Sequence, residues 1–363
     1  PRSTSSAASD VYKRQEWIIV ANNGGDIPFR IAQDKRVKAV FVDKALNPSG
    51  SYIGAIKRDA FSHGSGDILV EVDHDDLLTS DCLLELNKAF QDTDIGFVYS
   101  DNAKLSDDFK PYNPDIGWTY EKYKHRGKEL YAMKSPLPSA CTFQYIWYCP
   151  DHVRAWRKSV YDRIGKHDPS MEVCDDHELM IRTYLNTKVK KIEKVLYLYR
   201  IYGQNTWLKK NKLIQQKTVE LGAKHIEALA KRESEIRGLQ TLRLGNKYIS
   251  MDYNEGLWAY PDNSIGILYS SHLPFVHDQV GAMKEIHRVL AHGGLAFIDV
   301  PSTDGRGAFQ DPRNVSFWNE NSFYYYTRKE QADFIGNKDI KFMENRLDTG
   351  YPSDWYRKNN ILT

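Results

Sequence analysis

Three carboxylates fall within four positions in the stretch Ile68–Leu78, ILVEVDHDDLL, directly after a run with the composition of a buried strand. Asp73, Asp75 and Asp76 repel one another at that spacing unless positive charge offsets them. A hard divalent cation does so: Mg2+ or Mn2+ takes oxygen ligands and keeps part of its coordination shell for substrate phosphates. The cluster therefore suits a complex of metal and phosphate. Two other readings stay open on these residues alone. One is a solvated loop whose acids favour the start of the next helix. The other is a phosphatase of the aspartyl-phosphate type, which also places Asp-x-Asp after a strand, although none of its later motifs follows here.

Such a cluster needs elements to hold it. Between positions 16 and 100, short apolar runs alternate with helix-like segments: WIIV (17–20), VKAVFV (37–42), a helix over about 52–63, DILVEV (67–72), a helix from Ser80 to Phe90, and IGFVYS (95–100). The alternation predicts an α/β domain with a largely parallel sheet, in which ligands bind beyond the carboxyl ends of the strands. Asp73, His74, Asp75 and Asp76 sit at such an end. Ser80 or Asp81 is placed to cap the helix that follows.

In this order the segments resemble the inverting glycosyltransferases of GT-A fold, of the family 2 type. WIIVANNGGD (17–26) is similar to that family's second strand and nucleotide-binding turn, with Asn22 and Asn23 at the positions that meet base or ribose. NPSGSYIGAIKRDAF (47–61) resembles its glycine-then-basic segment, which implies Lys57 and Arg58 on the diphosphate; cations and helix-end amides are the physical means of holding phosphate. VDHDD then matches the Asp-x-Asp element, implying Asp73 on the nucleotide, Asp75 on the metal and Asp76 in either role.

About a hundred residues later, GKHDPSMEVCDDHELMIRTYL (165–185) resembles the acceptor-side motif, an acidic pair before a helix. The resemblance implies Asp176 as the base that deprotonates the acceptor hydroxyl. Asp175 and Glu178 are expected to raise its proton affinity, and Arg182 lies on the same acceptor side. By itself CDDHEL also suits a plain helix N-terminus. Two departures stand out. LYLYRIYGQNTW (196–207) carries Tyr202 where the family often has a His that completes the metal site. The family's first strand and helix should precede Glu16, and they do not. Ser5 to Gln15 resembles the translation of a transposase-type sequencing adapter, which would encode Asp10 to Gln15, so residues 1–15 are expected to be non-native.

From about Gln204 to Arg237 the pattern is basic and helical, with Ile214, Leu221, Leu229 and Ile236 at seven- or eight-residue steps. Acids interleave from Glu220 onward, which makes it a solvated connecting helix rather than a nucleic-acid surface. Beyond it, LQTLRLG (239–245), YISMD (248–252), IGILYSSH (265–272) and GGLAFIDVP (293–301) read as strands. QVGAMKEIHRVLAHGG (279–294) reads as a helix closed by glycine. This half resembles the later part of a class I, S-adenosylmethionine-dependent methyltransferase, which implies Asp252 on the cofactor ribose and His272 beside it. The fit fails at the first turn: LRLGNKYISMD has one glycine and no room for the dozen or more residues of a βαβ crossover. The domain is expected to be degenerate and its cofactor binding doubtful. His272, His277, His287 and His292 lack zinc spacing.

Composition sets the remaining limits. Fifty Lys and Arg against 48 Asp and Glu in 363 residues leave no global field for nucleic acid. Four cysteines form no CxxC pair, and no apolar run reaches the 18 to 20 or so residues that span a bilayer. The expected organisation is a GT-A domain over 16–205, a helical linker over 206–237 and a partial, Rossmann-like methyltransferase domain over 238–363. The expected function is metal-dependent, inverting transfer of a sugar from a nucleotide-sugar, a UDP-sugar first, to a glycan or lipid-linked acceptor in cell-surface polysaccharide biosynthesis. The competing readings are an inactive fragment or scaffold and a working methyltransferase. The expected location is cytoplasmic, peripheral to a membrane if it meets one.

Overall fold

The computed structural model describes residues 14–21, 25–41, 52–106, 108, 110, 117–203, 205–245, 259–337 and 342–348. The chain divides into two compact units, Pro1–Leu229 and Ala230–Thr363. The division falls inside one long helix, within the stretch read from sequence as a linker.

In the first unit β1 (Trp17–Ala21) pairs in parallel with β2 (Val37–Phe41), with α1 (Phe29–Ala32) between them. Then follow α2 (Ile53–Ser62), β3 (Ile68–Glu71), β4 (Leu77–Leu78), α3 (Cys82–Ala89), β5 (Ile95–Ser106), β6 (Tyr120–His125), β7 (Lys128–Met133), α4 (Thr142–Tyr145), β8 (Arg154–Arg157), α5 (Lys158–Arg163), α6 (Asp175–Asn186) and β9 (Lys188–Ile201). A seven-stranded sheet runs β3-β8-β5-β7-β6, with β9 on the other side of β5 and β4 against β9. Only β5 and β9 are parallel in it; β8 runs antiparallel between β3 and β5, and β7 antiparallel to β5. The expected largely parallel sheet is thus corrected to a mixed one. Strand–helix alternation before residue 100 says nothing of how 128–157 returns. That return needs no crossover helix, because antiparallel neighbours can follow tight connections. One is the two-residue turn Arg126–Gly127, both at positive φ, which matches the twist of the hairpin β6–β7.

β5 organises this unit. Its residues from Ile95 to Ala103 are all buried, apolar at first and then Ser100, Asp101 and Asn102. Buried polar groups persist only when paired, and each of these has work to do. Asp101 accepts from the Ser135 amide at 2.9 Å and lies 3.0 Å from Lys191 Nζ. Asn102 donates to Asp151 at 2.7 Å, and Ser100 Oγ accepts from the Val153 amide at 3.1 Å. The strand thereby pins both ends of the segment 135–153.

Beside it the buried Trp156 of β8 meets Phe61 edge-on at 5.8 Å and Phe97 at 4.8 Å, tying α2, β8 and β5 into one core. Its indole donates to Thr183 Oγ1 of α6 at 3.0 Å.

α7 (Thr206–Lys209) and the long α8 (Asn211–Arg237) lead to the second unit. There β10 (Gln240–Leu244), β11 (Ile265–Ser270) and β12 (Leu290–Ile298) lie side by side, all parallel, and α9 (Gln279–Val289) makes the crossover between the last two. α9 starts at Asp278, whose side chain accepts from the Gly281 amide. It buries Ala282, Met283, Ile286 and Val289 against the sheet. The helix was expected to run to Gly294; it ends at Val289, because Leu290 turns extended and already pairs with Ile265. Gly293, at φ 78°, lies in the strand rather than at a helix cap. α10 (Glu320–Thr327) and α11 (Lys329–Phe334) follow. Trp318 and Tyr326 join the core, whereas Phe317 is about half exposed and stacks on Phe309.

Replacing Thr183 by Val keeps the shape and leaves a buried indole N–H without its acceptor. The expected cost is about 1–3 kcal/mol, read as a lower urea midpoint at unchanged slope; an unshifted midpoint contradicts the role given to this bond.

Candidate functional site

The strand β3 delivers Glu71 at its end, and the chain then turns through Asp73, Asp75 and Asp76 to reach β4. The three aspartates part company there. Asp76 is buried, and both its oxygens are used: Tyr197 hydroxyl donates at 2.8 Å and the Arg200 amide at 2.7 Å. The same hydroxyl accepts from the Asp73 amide at 3.2 Å, so Tyr197 of β9 fixes the whole turn. Burial, helped by the charge of Asp73, pushes the Asp76 carboxyl up to about 7 against its two hydrogen bonds. Asp76, expected on either the nucleotide or the metal, has both oxygens engaged in holding the turn. Asp75 lies beside Tyr202, the residue standing where the resemblance has His; burial and then Asp75 raise the Tyr202 pKa.

α2 carries Lys57 and Arg58 toward the same end of the sheet. Gly54 permits this closeness, since a Cβ there would lie 2.1 Å from the Asp168 carbonyl oxygen and 3.3 Å from Asp175 Cβ. Lys57 Nζ bonds Glu71 and lies 3.7 Å from Asp73. Burial opposes its charge, but Asp73, Glu71 and the α6 acids outweigh that and raise its pKa well above the usual lysine value. Arg58 instead donates to the carbonyls of Gly165 and His167, at 3.2 and 2.9 Å. Of the two cations expected on a diphosphate, one sits among carboxylates and the other ties α2 to the loop before α6.

α6 begins after Cys174, whose φ of 59° turns the chain, and places Asp175, Asp176 and Glu178 in its first turn. Asp176 is 13% exposed and pairs with the fully buried Arg154 at 2.5 Å, while its other oxygen accepts from the His177 amide at 2.8 Å. Its neighbours were expected to raise its proton affinity. Burial does push that way, but Arg154 and then Lys57 hold Asp176 below the ordinary carboxylate value. The raised group is Asp175, pushed up to about 7 by burial, with Asp176 and Glu71 adding to it and Lys57 opposing. Glu178 and Arg182 are engaged with each other, and Arg182 also donates to the carbonyls of Ile164 and Lys166. They brace the loop rather than stand ready for an acceptor.

Sequence reading missed Glu71, Asp151, His152 and Arg154. The segment 150–157 is brought between β3 and β5 by the anchors on Ser100 and Asn102. His152 stacks on Tyr197 at 4.7 Å, and Asp151 faces its Nδ1 at 3.2 Å. Its Nε2 lies 3.8 Å from both Glu71 Oε1 and Asp73 Oδ2, beyond hydrogen-bonding reach. Burial and Arg154 oppose a charge on this ring, yet Asp151 and Glu71 prevail and push it up to about 9. Glu71, Asp73 and His152 each offer a ligand atom within 4.8 Å of the others, the one such group among the described residues, and could hold a divalent metal. The available signal was a charge on the inward face of a strand: Glu71 shares its face with Leu69, as Arg154 shares its face with Trp156.

Asn22, Asn23 and Asp252 lie outside the described residues. In the second unit His272 is buried beside Phe275, ring centres 5.3 Å apart, and its amide donates to Ser270 Oγ.

A family model described as a methyltransferase domain matches residues 206–298, less than half of the chain, in the half where the sequence carries that resemblance. No curated protein matches. Among solved structures the chain is similar to three of S. aureus TarS 1-349. The first is 12% identical, covers 63% of this chain and 67% of that one, and has a TM-score of 0.40. The complex with UDP is 11% identical over 69% and 70% of the two chains, at 0.42. The complex with UDP-GlcNAc is 11% identical over 64% and 70%, at 0.41. Among the described residues no helix is long and apolar enough to cross a membrane.

The raised Asp76 group has a signed consequence. A carboxyl held at about 7 in the fold and near 4 when unfolded favours folding fully below about pH 4, and that contribution is lost as pH rises through 7. Asp76→Asn loses a hydrogen bond but cannot ionise, so its stability deficit against the parent should shrink between pH 5 and pH 8. Denaturant titrations at several pH values check this, and a deficit that grows with pH contradicts the assignment.

Proposed function

We propose that the first unit transfers a sugar, with inversion, from a nucleotide-sugar to an acceptor hydroxyl. The observation that carries the reading is the convergence of Asp73 after β3, Lys57 from α2 and Asp176 from α6 on one cluster at one end of the sheet. In a single displacement the acceptor oxygen bonds to the anomeric carbon while the bond to the diphosphate breaks and its electron pair leaves on phosphate oxygen. The hydroxyl proton passes to Asp176, which Arg154 keeps ionised and in place.

Charge supports a cation requirement. Glu71, Asp73, Asp151 and Asp176 face only Lys57 and Arg154 as permanent cations, so the cluster is negative before any diphosphate arrives, whichever protonation state His152 takes. A divalent cation, Mn2+ or Mg2+, supplies the missing positive charge and stabilises the departing nucleoside diphosphate. In this reading Asp73 and Asp75 would hold it, and the buried, unpartnered Glu71 Oε2 and His152 Nε2 beside Asp73 fit such a group. Asn22, Asn23 and Arg58 complete the donor side in this reading, and a glycan or lipid-linked hydroxyl of cell-surface polysaccharide synthesis is the acceptor class.

Asp176→Asn is expected to lower transfer by about 10²–10⁴-fold while UDP binding stays at the parent level. Unchanged turnover removes Asp176 as the base.

For the second unit, the family-model match and the three parallel strands support the methyltransferase-like reading, in which Asp252 and His272 would meet S-adenosylmethionine, while the shortened first crossover opposes cofactor binding. Equilibrium dialysis with labelled cofactor tests it, and no retention at millimolar cofactor disposes of it.

A further inference from the structure

The expected cation ligands were Asp75 and Asp76, and one of them is spent on the fold. Deeper in the same cluster lie two polar atoms with no partner. Glu71 keeps Oε1 on Lys57, while its Oε2 is buried and makes no hydrogen bond. His152 Nε2 is buried and unpaired as well. Both residues are more than nine-tenths buried, where an unsatisfied polar atom is destabilising. They converge with Asp73 to within 4.8 Å.

The surroundings of His152 point the same way. Asp151 accepts at Nδ1, which aims the other nitrogen at Glu71 and Asp73. Asp151 is itself fixed by the Asn102 amide at 2.7 Å and by its own amide on Ser135 Oγ at 3.0 Å. The ring is stacked on Tyr197 and cannot turn away. A carboxylate behind the imidazole, orienting the far nitrogen, is the arrangement that supports a metal-ligating histidine.

We infer that Glu71, Asp73 and His152 form a site for a first-row divalent transition ion, with Asp151 as the positioning residue behind His152. The inference deepens the donor-site reading: it replaces an all-oxygen ligand set by one with a nitrogen ligand. Two carboxylates and an imidazole suit Mn2+ or its neighbours better than Mg2+ or Ca2+, which prefer oxygen alone. Lys57 and the ion then share Glu71, one on each oxygen. An imidazolium and a bound ion are alternative ways of neutralising the same carboxylates.

The test uses the whole chain and Mn2+ alone, without nucleotide, so a failure to bind UDP does not enter it. Electron paramagnetic resonance should show a bound ion with nitrogen coupling from imidazole. Competition should show Mg2+ binding at least about tenfold more weakly. His152→Gln should abolish the nitrogen coupling, and Asp151→Asn should weaken affinity by about 10–100-fold. The exposed loop variant His74→Gln keeps the proposal falsifiable if the buried ones fail to fold. It should retain the coupling and an affinity within about twofold of the parent. Loss of the coupling in His74→Gln, or no Mn2+ binding to the parent protein at millimolar concentration, overturns the inference.

Discussion

Everything at this site depends on neutralising carboxylates that the fold forces together out of water. Glu71, Asp76, Asp151, Asp175 and Asp176 are all largely withdrawn from solvent, where an unpaired charge costs several kcal/mol. Two buried cations answer most of it. Lys57 reaches Glu71 and Asp73 from α2, and Arg154 reaches Asp176 from β8. Where burial outweighs the nearby positive charge the carboxyl gives way instead: Asp76 and Asp175 are each pushed up to about 7. The fold thus sorts one acidic cluster into ionised and proton-holding members, and that sorting separates the candidate base from its neighbour.

The sorting requires β3, β8, α2 and α6 to be held in fixed relation. β5 and Trp156 supply this. The polar residues of β5 anchor the segment that brings Asp151, His152 and Arg154 into the cluster. Trp156, two residues on, locks β8 against α2 and α6 through Phe61 and Thr183. Polar groups in the centre of a sheet are costly when unpaired, so their satisfaction here links local strand chemistry directly to site geometry.

The positions of β1, β2, β3, α2, α3 and the start of β5 were readable because periodicity acts locally, although the expected cap at Ser80 or Asp81 makes no side-chain hydrogen bond to the helix. The meeting of Lys57, Asp73 and Asp176 was implied by motif order. What was not readable depends on partners far along the chain. Asp76 looks like a ligand in VDHDD, and only Tyr197, 121 positions later, turns it into a structural acceptor. The direction of β7 and β8 follows from connections that carry no periodic signal. Glu71 and Arg154 each gave one clue, a charge on an otherwise apolar strand face, which acquires meaning only when the other strand is beside it. In the second unit the strand–helix–strand order was legible, and the early end of α9 was not, because Leu290 answers to Ile265 in the sheet rather than to the helix pattern.

On the proposed reading this cluster is a cation-assisted site for a nucleoside diphosphate. Calorimetric titration of UDP into the protein with Mn2+ present, against the same titration in chelator, should then show binding with the metal and its loss in chelator. Absence of binding in both conditions, or equal binding in both, rules out such a site.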